Sequence, residues 1–169
     1  MNIGLARGTV FLVDYDPEWH KLFHEEAELL RKTLSIEINN IQHVGSTAIP
    51  PIKAKPIIDI AILVNSLESV NEWVNPLNKI GYWNKGKEPN MPDRRFFAKG
   101  PVSKRTVYVH FVNKQEFDRM SKFRDKLIKD QDLAKEYSNL KEKLAIENSK
   151  KRDSYTSAKH DFIQKVINS

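Results

Sequence analysis

The chain contains no cysteine. Disulfides, zinc–thiolate centres and thiol nucleophiles are therefore excluded, and a reducing compartment, the cytoplasm, is the expected location. Long apolar runs are missing as well. The longest, IIDIAILV at residues 57–64, falls far short of the about 20 residues that a membrane-spanning helix needs. The opening MNIGLARGTVFLVDYD has no apolar core of signal-peptide length, so no membrane association is expected. No internal repeat, low-complexity tract or obvious linker interrupts the chain. Asn84-Lys85-Gly86-Lys87 is not a P-loop, because the upstream glycine and the following Ser or Thr are missing.

What is present reads as an ordinary soluble protein, 40% hydrophobic and 30% charged. Its 169 residues suit one domain. The formal net charge of +6 is unevenly placed. Residues 1–84 carry 7 Lys and Arg against 10 Asp and Glu, and residues 85–169 carry 21 against 12. The basic C-terminal half is a candidate surface for nucleic acid or for phosphate-rich small molecules, although solvated Lys-rich helices give the same composition.

The apolar periodicity orders the elements. TVFLVDY at 9–15 reads as a strand. Asp16-Pro17-Glu18 is a helix start, with Asp as N-cap, Pro at the first helical position and an acid in the first turn. Trp19, Leu22, Phe23, Ala27, Leu29, Leu30 and Leu34 share the face of the helix that follows. His20 and His24 flank that stripe with no third metal ligand nearby. IQHV and PIIDIAILV read as strands. SLESVNEWVNPLNKIG contains a helix, with Ser66 and Ser69 as candidate caps and Gly81 near its end. RRFFAKG and TVYVHFV read as a strand pair joined by GPVSKR. From residue 113 the pattern turns helical. Asn113 and Glu116 have capping-box spacing, and Phe117, Met120, Phe123, Leu127 and Ile128 form a stripe. Asp132 can cap a helix carrying Leu133, Tyr137, Leu140 and Leu144. A last helix from about 153 carries Tyr155, Phe162, Ile163 and Val166. The expected class is α+β: an α+β region over 1–112, then a three-helix tail over 113–169, all in one domain.

Candidate chemistry gathers around HVGSTAIPPIKAKPIIDIAILV. A carboxylate inside an apolar strand is costly unless it meets a cation or a metal, so Asp59 is a candidate ligand; a pair with Lys55 is the bland alternative. Gly45-Ser46 follows a strand, and backbone N–H groups at such a turn can hold phosphate oxygens. The Ser46 hydroxyl adds a donor, and Lys53 and Lys55 add positive charge. His110 can ligate a metal or act as a general base, or sit in the core as a hydrogen-bonded histidine; His43 faces the same choice. Arg94, Arg95 and Lys99, around Phe96-Phe97, can bind phosphate or an acceptor, or simply form a polar hairpin face.

Taken together, these segments resemble the GrpB family, within the nucleotidyltransferase-fold superfamily. VFLVDYDPEWHKLFHEEAELL, HVGSTAIPPIKAKPIIDI, RRFFAKG, YVHFV, FRDKL, YSNLKEKLA and YTSAKHDFI match its blocks in order over nearly the whole chain. Related domains are also fused to dephospho-CoA kinases. The resemblance implies a nucleotidyltransferase-like mixed sheet flanked by helices, with the site where the Gly-Ser turn faces the carboxylate strand. It further implies that Gly-Ser holds nucleotide phosphates, that two acids one residue apart bind Mg²⁺, and that a third acid on a later strand completes the site. Gly45, Ser46 and Asp59 match that pattern. Ala61 replaces the second acid and His110 stands where the third is expected.

Two functional readings follow. One is a nucleotidyltransferase that moves an NMP group from an NTP to an acceptor. In it, Asp59 and His110 are catalytic around one divalent ion, Mg²⁺ or Mn²⁺, while Gly45, Ser46, Lys55 and Arg95 hold phosphate. The other is a non-catalytic module that binds a nucleotide, a CoA-like ligand or RNA and has lost the second and third acids.

Overall fold

Asp16 and Pro17 begin the first helix as their chemistry predicts. The Asp16 carboxylate accepts the Glu18 amide at 3.0 Å, and α1 runs Glu18–Leu34. In this computed structural model, which describes residues 3–86, 93–147 and 152–168, Trp19, Phe23, Ala27, Leu30 and Leu34 form the buried stripe of α1. Burying each such side chain contributes about 1.5–3 kcal/mol, so this stripe fixes the helix against whatever sheet face is apolar.

That sheet has five strands: β1 (Ile41–Val44), β2 (Ile58–Leu63), β3 (Tyr82–Gly86), β4 (Arg94–Lys99) and β5 (Val107–Val112). Their order is β1-β2-β5-β4-β3. Among the described strands, β2 and β5 pair in parallel and the other pairs are antiparallel. The mixed α+β architecture is therefore as expected. Alternation along the strands divides the residues cleanly. Ile58, Ile60 and Ile62 of β2 and Val107, Val109 and Phe111 of β5 pack with the α1 stripe in the main core. A short helix α2 (Val74–Lys79), entered through a 3-10 turn at Ser69–Trp73, adds Leu77 to the same core. Asp59 and Ala61, and Tyr108 and His110, belong to the other face.

The helical tail covers part of that second face. α3 (Lys114–Lys129) begins at Asn113, whose side chain accepts the Glu116 amide at 2.9 Å. Its Phe117 joins Val44, Ala61 and Val112 in a small apolar cluster. α4 (Gln131–Glu147) and α5 (Arg152–Asn168) complete the tail. Ile49 and Ile52, from the loop after β1, insert among Phe123, Leu127, Ala134, Tyr137 and Val166. The tail core thus holds the loop that follows the Gly-Ser turn.

Several expectations are corrected. Residues 9–15 form no strand: only Val13 bridges, to Ala54. The segment runs beside the loop containing Pro50, Pro51 and Pro56, and proline lacks the amide that a ladder needs. β3 was not expected, because it is short, half-exposed and broken by a register shift between Asn84 and Gly86. The α4 cap is Asp130, which accepts the Leu133 amide at 2.9 Å, not Asp132. Ile128 is 41% exposed and lies off the α3 stripe. The side chain of Tyr155 lies outside the described residues.

Candidate functional site

The site begins where β1 ends. Gly45 adopts φ 70°, ψ −174°, a conformation that glycine takes readily and other residues rarely do. A Cβ at this position would stand 2.6 Å from Oδ2 of Asp59 and 3.0 Å from its Cβ. Glycine is therefore needed twice over, for the backbone angle and for the space that the carboxylate occupies. The register explains the approach: Val44 pairs with Asp59 across β1 and β2. Ser46–Ala48 then make one 3-10 turn. No described residue hydrogen-bonds the Ser46 hydroxyl, which is partly exposed.

Asp59 meets an imidazole, not a lysine. Nε2 of His110 lies 3.2 Å from Oδ1 of Asp59, with side-chain exposures of 11% and 30%. The other ring nitrogen, Nδ1, is buried without a hydrogen-bond partner. The proton therefore belongs on Nε2, donating to Asp59, because an N–H left buried and unpaired at Nδ1 would cost more than a bare lone pair. Burial lowers the His110 pKa, outweighing the opposing effect of the Asp59 carboxylate, and Arg94 and Lys85 lower it further. The imidazole is thus neutral at pH 7. Phe96 stacks on it, with centroids 4.6 Å apart and planes at 14°, and Tyr108 lies against Phe96 at 4.9 Å. The ammonium of Lys85 sits 4.2 Å from the Phe96 ring centroid.

A divalent cation finds one protein carboxylate here. Among the described residues no three His, Cys, Asp or Glu side chains gather as a metal cluster. The position of a second acid, Ala61, is fully buried with Val44, Val112 and Phe117. His110 does not fit as a ligand: metal-bound histidines almost always donate their other N–H to a partner, and Nδ1 has none. A hard cation such as Mg²⁺ fits Asp59 only by taking the rest of its shell from ligand phosphates and water, which is its usual habit.

The remaining predicted residues divide. Arg95 pairs with Phe111 and Arg94 with Val112, so Arg95 lies on the α1 face and Arg94 on the face of Asp59. The expected role of Arg95 beside Asp59 is thereby overturned by strand parity. Lys99 is also on the α1 face, bonded to Glu26 at 2.7 Å. Arg94 is tied to Glu116, which also takes Arg119 at 2.5 and 2.6 Å. Glu116 therefore does not close a reciprocal capping box with Asn113. Lys53 pairs with Glu142 at 3.2 Å. The charge of Lys55 is felt at the buried Lys141, whose pKa is lowered well below the usual value, chiefly by burial. Sequence reasoning missed Lys85, for want of β3, and it missed Thr47 and Arg124. A threonine directly after the Gly-Ser pair was the available signal for Thr47.

His43 is neither a metal ligand nor a base at this site. It is on the α1 face, stacked on Phe23 at 4.7 Å with planes 9° apart and edge-on to His20 at 5.2 Å. Burial lowers its pKa to about 3. Nε2 lies 3.0 Å from the Thr47 hydroxyl, which donates to the Ile57 carbonyl at 3.2 Å. Arg124 of α3 donates to the His43 carbonyl at 2.7 Å.

Comparison with known proteins places the chain in a family. The chain matches the family described as GrpB protein over residues 9–169. It is 35% identical over 159 residues to a UPF0157 protein of Halalkalibacterium halodurans, covering 94% of this chain and 81% of that one. It is 33% identical over 172 residues to the glutamate-rich protein GrpB of Alkalihalophilus pseudofirmus, covering 98% of each. The crystal structure of conserved protein GrpB from Enterococcus faecalis superposes with a TM-score of 0.81 at 35% identity, over 94% of this chain and 95% of that one. The chain belongs to the GrpB family.

Proposed function

We propose that the face bearing Gly45, Ser46, Asp59 and His110 binds the phosphates of a nucleoside triphosphate and transfers its NMP group to an acceptor hydroxyl. The observation that carries this reading is the contact of the Gly45 turn with Asp59, where a Cβ would come within 2.6 Å of Oδ2. The turn and its serine hydroxyl are thereby set beside the Asp59 carboxylate, which meets Nε2 of His110 at 3.2 Å. The turn suits phosphate oxygens, and Asp59 suits a hard cation shared with them. Neutral His110 donates to Asp59 and so fixes the carboxylate in place. In the transfer, an acceptor oxygen bonds to the α-phosphorus, the bond to the β-phosphate bridging oxygen breaks, pyrophosphate leaves and the acceptor proton passes to water. A divalent cation bound at Asp59 would polarise the α-phosphate.

One observation favours a second reading, binding without transfer. Ala61 is sealed in the apolar cluster under Phe117, so the site lacks the second carboxylate of a two-cation centre. Calorimetry with NTPs in the presence of Mg²⁺ or Mn²⁺, combined with transfer from an α-labelled NTP in a lysate, separates the two. A ligand at about 100 times its Kd raises stability by roughly 2.7 kcal/mol. Label on an acceptor supports transfer, and binding without label supports the module. If no NTP shifts the melting temperature with either cation, the transfer reading fails, and with it the nucleotide-binding form of the module. Asp59→Asn keeps the shape and removes the charge; unchanged cation-dependent binding in that variant removes Asp59 from the site.

A further inference from the structure

We infer that His43 is a positioning residue: through Thr47 it holds the Gly45–Ser46 turn against the start of β2. This rests on the phosphate-site reading above and adds a device on the far face of the sheet. The direction of the hydrogen bonds follows from the acceptors. The Ile57 carbonyl can only accept, so the Thr47 hydroxyl donates to it at 3.2 Å. The remaining lone pairs of that hydroxyl face Nε2 of His43 at 3.0 Å. The proton therefore belongs on Nε2, and the chain runs His43 to Thr47 to Ile57. Each link is in a different part of the site. His43 is on β1, two residues before Gly45. Thr47 is inside the turn. Ile57 immediately precedes β2, two residues before Asp59.

The ring has little freedom to do otherwise. Phe23 stacks on one side and His20 meets it edge-on. Its backbone carbonyl accepts from Arg124 at 2.7 Å. His43 and Thr47 are 5% and 1% exposed, so water does not replace the links cheaply. Nδ1 of His43 is buried with no partner, so a second ring proton would have nothing to receive it. A single neutral tautomer is thus built in, and its hydroxyl relay fixes the separation between turn and carboxylate strand.

Thr47→Val removes the hydroxyl at constant shape, and Thr47→Ser restores it. The expected result is an ATP affinity, measured by calorimetry with Mg²⁺, about tenfold weaker in Thr47→Val and near the wild-type value in Thr47→Ser. Nitrogen-15 spectra of the wild-type protein should show His43 protonated at Nε2, and that signature should move in Thr47→Val. Wild-type affinity in Thr47→Val, or a proton on Nδ1, overturns the assignment. If the wild-type protein binds neither ATP nor inorganic triphosphate, the phosphate-site reading fails separately. The positioning claim is then decided by the Gly45 and Ser46 amide resonances. They should shift in Thr47→Val and return in Thr47→Ser, and unmoved amides overturn it.

Discussion

Acid should unfold this protein partly through His43, and the size of the effect can be worked out. In the folded chain its pKa is lowered from 6.5 to about 3, by burial first and then by His20, Arg124 and His24, against the pull of Asp59. The folded state therefore binds fewer protons than the unfolded state between those values. Stability is fully present above pH 6.5 and is lost as the pH falls towards 3. Each pH unit in that window costs about 1.4 kcal/mol, so this group alone removes roughly 2 kcal/mol between pH 6.5 and pH 5. That is a large share of a typical domain stability of about 5–15 kcal/mol. His110, also lowered by burial, adds slope of the same sign, so the wild-type curve alone cannot isolate His43. His43→Gln can, because glutamine keeps an amide donor for Thr47 and does not titrate. Urea unfolding at pH 7 and pH 5 should show the wild-type protein losing roughly 2 kcal/mol more than the variant over that interval. Parallel losses in the two proteins would refute the buried neutral histidine.

Gly45→Ala should destabilise the fold by about 2–4 kcal/mol, since it adds a strained positive φ to a clash with the Asp59 carboxylate; an unchanged urea midpoint would remove the close approach from the site. Ala61→Asp should cost about 3–5 kcal/mol, because it buries a carboxylate among Val44, Val112 and Phe117. Recovery of that stability on adding Mg²⁺, together with tighter ATP binding by calorimetry, would show that a second ligand position is accessible and would sink the single-carboxylate site.

The sequence exposed whatever depends on periodicity or on one local rule. The α1 stripe, the β2 run and the β4–β5 hairpin needed only alternation and helical spacing. Gly45, Ser46 and Asp59 stood out because a charge in an apolar strand and a glycine after a strand each require a reason. What was hidden depended on partners distant in sequence. TVFLVDY has strand composition, but its neighbour is a proline-rich loop that cannot continue a ladder. Arg94 and Arg95 are indistinguishable until the pairing with Val112 and Phe111 fixes which faces Asp59. His43 and His110 read alike from composition, yet they end on opposite faces of one sheet, bonded to a hydroxyl and to a carboxylate.

The packing also explains why Asp59 stands alone. The residue two positions along β2 points to the same face, and there α3 lays Phe117 over the sheet. A carboxylate at that point would be desolvated without any cation able to reach it, so an apolar residue is the stable choice. One carboxylate cannot neutralise a divalent cation, and His110 donates a proton to that carboxylate instead of adding negative charge. On the proposed phosphate-site reading, the missing charge would come from the ligand. A cation would enter this site already bound to phosphate, and its affinity for the protein without a nucleotide would be weak. In that reading, the single acid would couple any metal dependence to the presence of a polyphosphate.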